Sequence, residues 1–343
     1  GTSIPEEYVT AMRSSIVVLS ALLGRMGEGS CCYPGGCLIG ARPIDLHLMA
    51  LQALGAEIKE HDGLIEARCR DAQGLKGTEI HLPYPSVGAT EQAILASVLA
   101  KEVTVIHGAA KEPEISQLCR FLNNMGAVIC GMGTDHLMIQ GVEELHDSSF
   151  RVEGDRIVAG TYAAAVMAAM GSITLKEVRA AELELPLEML KRSGASIQKD
   201  SCCRQIRIEM KKRPLPLDIK TGPYPEFPTD LQSPYMAFLA SGQGTSTIVE
   251  QVFEGRFATA KALVQMGAAV ETEGQRAVIK GSYPLKGASV YASDLRGGAA
   301  LAVAALAAEG ETLINDCQHI ERGYEDICRD MAALGADIRW LDK

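Results

Sequence analysis

Five short clusters set the reading of the whole chain: Leu54-Gly55-Ala56, Met125-Gly126-Ala127, Ser193-Gly194-Ala195, Met266-Gly267-Ala268 and Leu334-Gly335-Ala336. Successive glycines stand 71, 68, 73 and 68 residues apart, the signature of an internal repeat. Each cluster follows a helix-like run and precedes alternating apolar residues. Each glycine is therefore expected to close a helix in a left-handed cap, with a half-buried strand after it.

A second helical run lies upstream in each copy: 12–23, 88–100, 160–170, 230–240 and 294–308. Short strands follow these runs, at 103–107, 173–176 and 246–251, and further strands are expected at 136–140 and 205–209. The unit thus reads helix, strand, helix, strand, then one or two more strands, which argues for α/β repeats around a shared core. A one-directional solenoid would accommodate five units. The chain starts directly at a first helix and stops just after the last cluster, and five units divide badly between two similar domains whereas six divide evenly. The expected organisation is two domains, 1–153 and 154–343, with the first repeat incomplete.

At 343 residues and 47% hydrophobic, the chain suits a folded protein of two ordinary domains. Its apolar runs, such as 162–170 and 299–308, are Ala-rich and shorter than the roughly 20 residues of a membrane helix. No basic leader with a cleavage site opens the sequence, so a cytoplasmic protein with no membrane partner is expected. The ten cysteines show no paired CxxC spacing, and reduced, mostly structural thiols with no metal site are expected. The net charge of −10 argues against a nucleic-acid surface, so an anionic small molecule would need a local group of arginines.

The strongest motif is Pro34-Gly35-Gly36-Cys37-Leu38-Ile39-Gly40-Ala41-Arg42-Pro43-Ile44-Asp45-Leu46-His47. Its glycines make a pliable loop, and a cysteine five residues from Arg42 is placed to react, because a nearby guanidinium favours the thiolate. This loop resembles the signature of the UDP-N-acetylglucosamine enolpyruvyl transferase family. The resemblance continues through Arg13-Ser14-Ser15, Lys111-Glu112-Pro113-Glu114, Gly133-Thr134-Asp135, Asp155-Arg156-Ile157, Phe227-Pro228-Thr229-Asp230, Phe253-Glu254-Gly255-Arg256-Phe257, Asp294-Leu295-Arg296 and Glu321-Arg322-Gly323-Tyr324, in order along the chain.

The resemblance implies a two-domain inside-out α/β barrel of six repeats, five of them in this chain. It also implies transfer of the enolpyruvyl group of phosphoenolpyruvate to the 3-hydroxyl of UDP-N-acetylglucosamine, with release of phosphate and no cofactor, in the first committed step of peptidoglycan synthesis. By the same resemblance Cys37 is the general acid at the methylene carbon and a fosfomycin target, Asp230 faces the sugar hydroxyl, and Asp294 works with the cysteine in proton transfer. Arg322 joins them as a catalytic residue. Arg13, Arg42, Arg256, Arg296 and Arg322 would surround the anionic groups, since a guanidinium fork grips carboxylate and phosphate through paired hydrogen bonds. Arg42, Pro43, Ile44, Asp45 and Leu46, with Ser86, Val87, Gly88, Val252 and Phe253, would hold the nucleotide sugar. His47 reads equally as a loop support or a ligand contact, and Asp230 and Asp294 also read as helix N-caps.

Two features depart from the family pattern. A Gly-Ala-Lys-Asn-Ala segment that binds both substrates in the family does not occur in this sequence, and Tyr84 stands where many members carry lysine. Two alternatives follow: a non-catalytic paralogue that binds a UDP-sugar or a partner, and the shikimate-pathway enolpyruvyl transferase, against which the cysteine loop speaks.

Overall fold

The computed structural model describes residues 1–341 apart from Met12, Gly36, Cys37, Leu38 and Arg42, and apart from the side chain of Ala11. The chain forms two compact units, Gly1–Gly36 with Arg42–Val152, and Cys37–Ala41 with Glu153–Lys343.

The first unit runs α1 (Glu6–Ala11), α2 (Val18–Met26), β1 (Glu28–Cys32), α3 (Asp45–Ala53), β2 (Ala56–His61), β3 (Leu64–Cys69), β4 (Glu79–His81), α4 (Val87–Ser97), β5 (Val103–His107), α5 (Pro113–Asn124), β6 (Val128–Cys130) and β7 (His136–Gln140). Its sheets have the orders β1-β3-β2 and β4-β5-β7-β6. The second unit repeats the scheme with α6 (Arg156–Ala169), β8 (Ser172–Lys176), α7 (Glu184–Arg192), β9 (Ser196–Asp200) and β10 (Gln205–Glu209). It continues with β11 (Asp218–Lys220), α8 (Gln232–Ala240), β12 (Thr245–Val249), α9 (Thr259–Gln265), β13 (Ala269–Glu273) and β14 (Arg276–Lys280). The last repeat holds β15 (Leu285–Lys286), β16 (Ser289–Tyr291), α10 (Leu295–Ala305), β17 (Ala308–Glu309), β18 (Leu313–Asn315) and α11 (Ile327–Ala333). Sheet orders β8-β10-β9 and β11-β12-β14-β13 copy those of the first unit.

The helices lie inside and the sheets outside. α8 is buried along its whole length from Gln232 to Ala240, and α6 is buried at nearly every position. A helix buried on all sides needs apolar residues all round, which explains the Ala-rich runs at 162–170 and 299–308 without any membrane. Small residues also let the axes approach: a Cβ on Gly160 of α6 would lie 2.5 Å from a Leu231 methyl. No described helix is long and apolar enough to cross a membrane. The strands bury alternate residues only, as in β5 and β7, so each sheet lays one face on the helices and turns the other to solvent.

All five repeat glycines adopt the left-handed conformation, with φ of 95° at Gly55, 98° at Gly126, 108° at Gly194, 84° at Gly267 and 100° at Gly335. The strand expected after Gly335 is not formed. In the other four copies the strand after the glycine is bonded by the next strand in sequence, and among the described residues nothing after Ala336 supplies such a partner. Helix starts also shift: the run expected from 12 opens as a 3-10 turn, Arg13–Val17, and Asp230 lies inside the 3-10 turn Thr229–Leu231.

Candidate active site

In the second unit, four of the expected residues converge. Asp230 sits just before α8, held there by the turn after Pro228, and its Oδ1 accepts a short hydrogen bond from Arg256 Nη2. Its Oδ2 lies 3.6 Å from Arg296 Nη2. Arg256, 3% exposed, also reaches Asp294 Oδ1 at 3.7 Å and donates from Nε to Thr229 Oγ1 at 3.3 Å. Asp230 itself remains 39% exposed, so the network is walled by protein on most sides but open to solvent at one carboxylate. Burial opposes the charge on Asp230, yet Arg256, Arg296 and Arg156 outweigh it and hold the carboxyl below its ordinary value. Arg296, enclosed but paired with Asp230, is held more firmly protonated still.

The N-cap reading fails for Asp230, whose side chain makes no cap bond and is spent on arginine. For Asp294 it is correct: Oδ1 accepts from Arg296 N at 3.0 Å and Gly297 N at 3.1 Å, while Oδ2 accepts from Ser293 Oγ at 3.0 Å. The cap fixes the carboxylate at the head of α10, where it also meets Arg256. A Cβ on Gly297 would lie 2.8 Å from Asp294 Oδ2, so the glycine keeps this corner open.

Three members of the network were not among the expected site residues. Arg156, buried at the start of α6, adds its charge to the Asp230 field. Tyr324, also buried, shares a 2.8 Å hydrogen bond with Thr161 and accepts from Arg296 Nη1 at 3.4 Å. Glu250, 1% exposed at the end of β12, accepts at Oε1 from Thr221 Oγ1 at 2.9 Å, Val252 N at 2.8 Å and Phe253 N at 3.2 Å, and at Oε2 from Thr229 Oγ1 at 3.0 Å. It thereby ties the Val252-Phe253 backbone to the segment before Asp230. Arg156 and Tyr324 stand inside quoted motifs, whereas the one signal for Glu250 is a carboxylate directly after a strand.

Arg322 is exposed, two residues from Tyr324. The Phe253 ring packs at 5.5 Å from the Arg256 guanidinium. Gly255 N donates to Ile39 O at 2.9 Å, and a Cβ on Gly40 would fall 2.3 Å from Glu254 Oε2, so the downstream arm of the cysteine loop runs against the residues just before Arg256. Cys37 and Arg42 lie outside the described residues.

In the first unit the remaining candidates form a second group. Arg13 Nη2 donates to Pro43 O at 2.9 Å, pinning the segment that enters α3 through Ile44, Asp45 and Leu46. Ser86 caps α4, its Oγ accepting from Ala89 N at 3.3 Å, so Val87 and Gly88 occupy the first turn, where backbone N–H groups lack intrahelical acceptors. A Cβ on Gly88 would lie 2.6 Å from His47 Nε2, so the buried His47 fills the space between α3 and the head of α4. Tyr84 is 44% exposed nearby in sequence.

The helix-centred repeats, with the cluster of carboxylates and arginines in the second unit, lead to a class. The chain belongs to the EPSP synthase family: the family model described as EPSP synthase (3-phosphoshikimate 1-carboxyvinyltransferase) matches residues 1–331. It is thus a transferase by family. Within that class it falls with the UDP-N-acetylglucosamine 1-carboxyvinyltransferases, being 46% identical over 338 residues to the second such enzyme of Caldanaerobacter subterraneus subsp. tengcongensis, with 98% of this chain and 80% of that one covered. The enzyme of the same name from Zymomonas mobilis is 47% identical over 339 residues, covering 98% and 78%. Among solved structures, the enolpyruvyl transferase NikO from Streptomyces tendae matches with a TM-score of 0.86 at 24% identity, over 99% of this chain and 80% of that one. An EPSP synthase from Acinetobacter baumannii matches with a TM-score of 0.69 at 17% identity, over 93% and 76%. These structural likenesses establish the inside-out α/β fold.

Proposed function

We propose that this protein transfers the enolpyruvyl group of phosphoenolpyruvate to the 3-hydroxyl of UDP-N-acetylglucosamine, releasing phosphate, as a cytoplasmic enzyme supplying peptidoglycan precursors for cell wall growth and division. The observation that carries the reading is the Asp230–Arg256–Asp294–Arg296 network, together with relatives named as UDP-N-acetylglucosamine 1-carboxyvinyltransferases. The reaction needs a group that accepts the hydroxyl proton, a group that protonates the methylene carbon, and cations for phosphate and carboxylate. In this reading oxygen bonds to the enol carbon as the methylene gains a proton. Loss of phosphate and of one methyl proton then restores the double bond, so the proton count closes.

Asp230 is the acceptor facing the hydroxyl. A carboxylate held low by three arginines is a weak base while the site is empty. Anionic substrate drains that field, so substrate binding itself raises the basicity of Asp230 when it is needed. Asp294 and Cys37 serve the methylene proton, Arg296 and Arg322 with Arg13 and Arg42 hold the anions, and the head of α4 at Ser86, Val87 and Gly88 offers N–H donors to the nucleotide beside Pro43–Leu46. Val252 and Phe253, held by Glu250, line the sugar.

The test is phosphate release from phosphoenolpyruvate with UDP-N-acetylglucosamine or shikimate 3-phosphate as acceptor. Turnover with the nucleotide sugar is expected, and turnover only with shikimate 3-phosphate overturns the assignment. Absence of both points to the non-catalytic paralogue. Fosfomycin should add one adduct, lost in Cys37→Ser. The buried thiols of Cys31 and Cys119, pushed up to about 11 by burial, should stay unmodified.

A further inference from the structure

The outer face of the β4-β5-β7-β6 sheet carries side chains for which the proposed chemistry has no use. Residues two apart on a strand share a face, and the parallel register sets His81 of β4 directly beside His107 of β5. His136 of β7 stands opposite His107 on the other side. Ile80, Ile106 and Leu137, between or beside them in sequence, point into the core and fix which way the polar residues face.

Glu79 Oε2 lies 3.5 Å from His81 Nε2 and 3.8 Å from His107 Nε2, and the ligand atoms of all three residues lie within 4.8 Å of one another. The second separation is too long for a hydrogen bond. It lies just above the roughly 3.3–3.6 Å between neighbouring ligands around a tetrahedral ion with bonds of about 2.0–2.2 Å. His107 Nε2 is buried, and no hydrogen-bond partner stands among the described residues. A buried ring nitrogen costs free energy unless something binds it. His136 meets His107 edge-on at 5.0 Å, and His81, now stacked on it at 4.4 Å, would swing out of the stack to bring its nitrogen to a shared ion. His136 in turn is oriented by a 2.8 Å contact from Nδ1 to Asp135 Oδ1. Glu79 and His81 are 70% and 69% exposed, so both are free to turn onto an ion and solvent can supply a fourth ligand.

We propose that Glu79, His81 and His107 form a surface site for a borderline first-row divalent cation, Zn2+ in the first instance, with two imidazoles, one carboxylate and one water. Two nitrogen ligands and one oxygen suit Zn2+, Ni2+ or Co2+ and do not suit Mg2+ or Ca2+, which take oxygen donors. The site lies wholly within the first unit and uses no residue assigned to enolpyruvyl transfer.

The experiment is calorimetric titration of untagged, EDTA-stripped protein with Zn2+, paired with the visible d–d spectrum of bound Co2+. One equivalent should bind per chain with a tetrahedral Co2+ spectrum lacking thiolate charge transfer, while Mg2+ gives no heat. His107→Gln and His81→Gln should each abolish binding at concentrations that saturate the parent, with unchanged circular dichroism and unchanged melting in EDTA. Uptake undiminished in both variants overturns the site. So does uptake that disappears only when the exposed Cys130, Cys202 and Cys203 are changed to serine.

Discussion

Replacement of Glu250 is the sharpest test of how the site is held. Its carboxylate accepts four hydrogen bonds, two from backbone N–H groups and two from threonine hydroxyls, at 1% exposure. A bond to a charged acceptor contributes about 1.5–3 kcal/mol net, against about 0.5–1.5 for a neutral one. In Glu250→Gln the three donors at Oε1 keep a carbonyl, but the Thr229 hydroxyl meets an NH2 group and all charge assistance disappears. We expect a loss of about 2–3 kcal/mol. Glu250→Ala leaves the Val252 and Phe253 N–H groups and two hydroxyls without that acceptor, and a loss of about 4–5 kcal/mol follows. Urea unfolding with an unchanged m-value measures both. Because the same carboxylate fixes Val252 and Phe253, Glu250→Gln should raise KM for the nucleotide sugar more than KM for phosphoenolpyruvate. An alanine variant within about 0.5 kcal/mol of the parent would refute the reasoning, since it would mean the loop holds its shape without these bonds.

Asp294→Asn keeps an oxygen to cap α10 but removes the charge facing Arg256; stability should drop by about 1–2 kcal/mol in urea titration, with a larger loss of turnover than of substrate affinity. Asp230 is held below its ordinary value, so the acid limb of kcat/KM, which reports the free enzyme, should lie below the ordinary carboxylate range and the limb of kcat should lie higher; coincident limbs would contradict the draining of the arginine field by substrate. Glu91 is pushed up to about 7 by burial and by Glu114 and Glu112. A raised carboxyl pKa means the folded state binds more protons between the unfolded value and about 7, so stability falls as pH rises through that window. Glu91→Gln should remove this slope and gain about 2–3 kcal/mol at pH 8, with little gain at pH 4, by thermal or urea unfolding. Gly88→Ala should push His47 off the head of α4, costing about 1–3 kcal/mol and weakening nucleotide binding.

The repeat was legible because it rests on local physics. A glycine after a helix, with apolar alternation after it, specifies a left-handed cap and a strand whatever the rest of the chain does, and Gly55 to Gly335 all adopt that cap. The strand after Gly335 failed for the opposite reason: a strand needs a partner, and partnership is not a local property. At the candidate site the cap of Asp294 was legible for the same local cause, whereas Arg156 stood inside a quoted motif without being expected in the network. That only Asp294 caps its helix was not legible, because both residues precede helical runs and only the fold puts Asp230 inside a 3-10 turn with its carboxylate spent on Arg256 and Arg296. Glu250 was hidden, since a carboxylate after a strand means nothing until two threonines and a loop backbone fold over it. The imidazoles of His81 and His107 stand 26 residues apart in the chain. Sequence alone determined the helices, their glycine caps and most of the strands; sheet register decided that those two rings stack, because hydrogen bonding between strands sets side chains beside one another without regard to their distance along the chain.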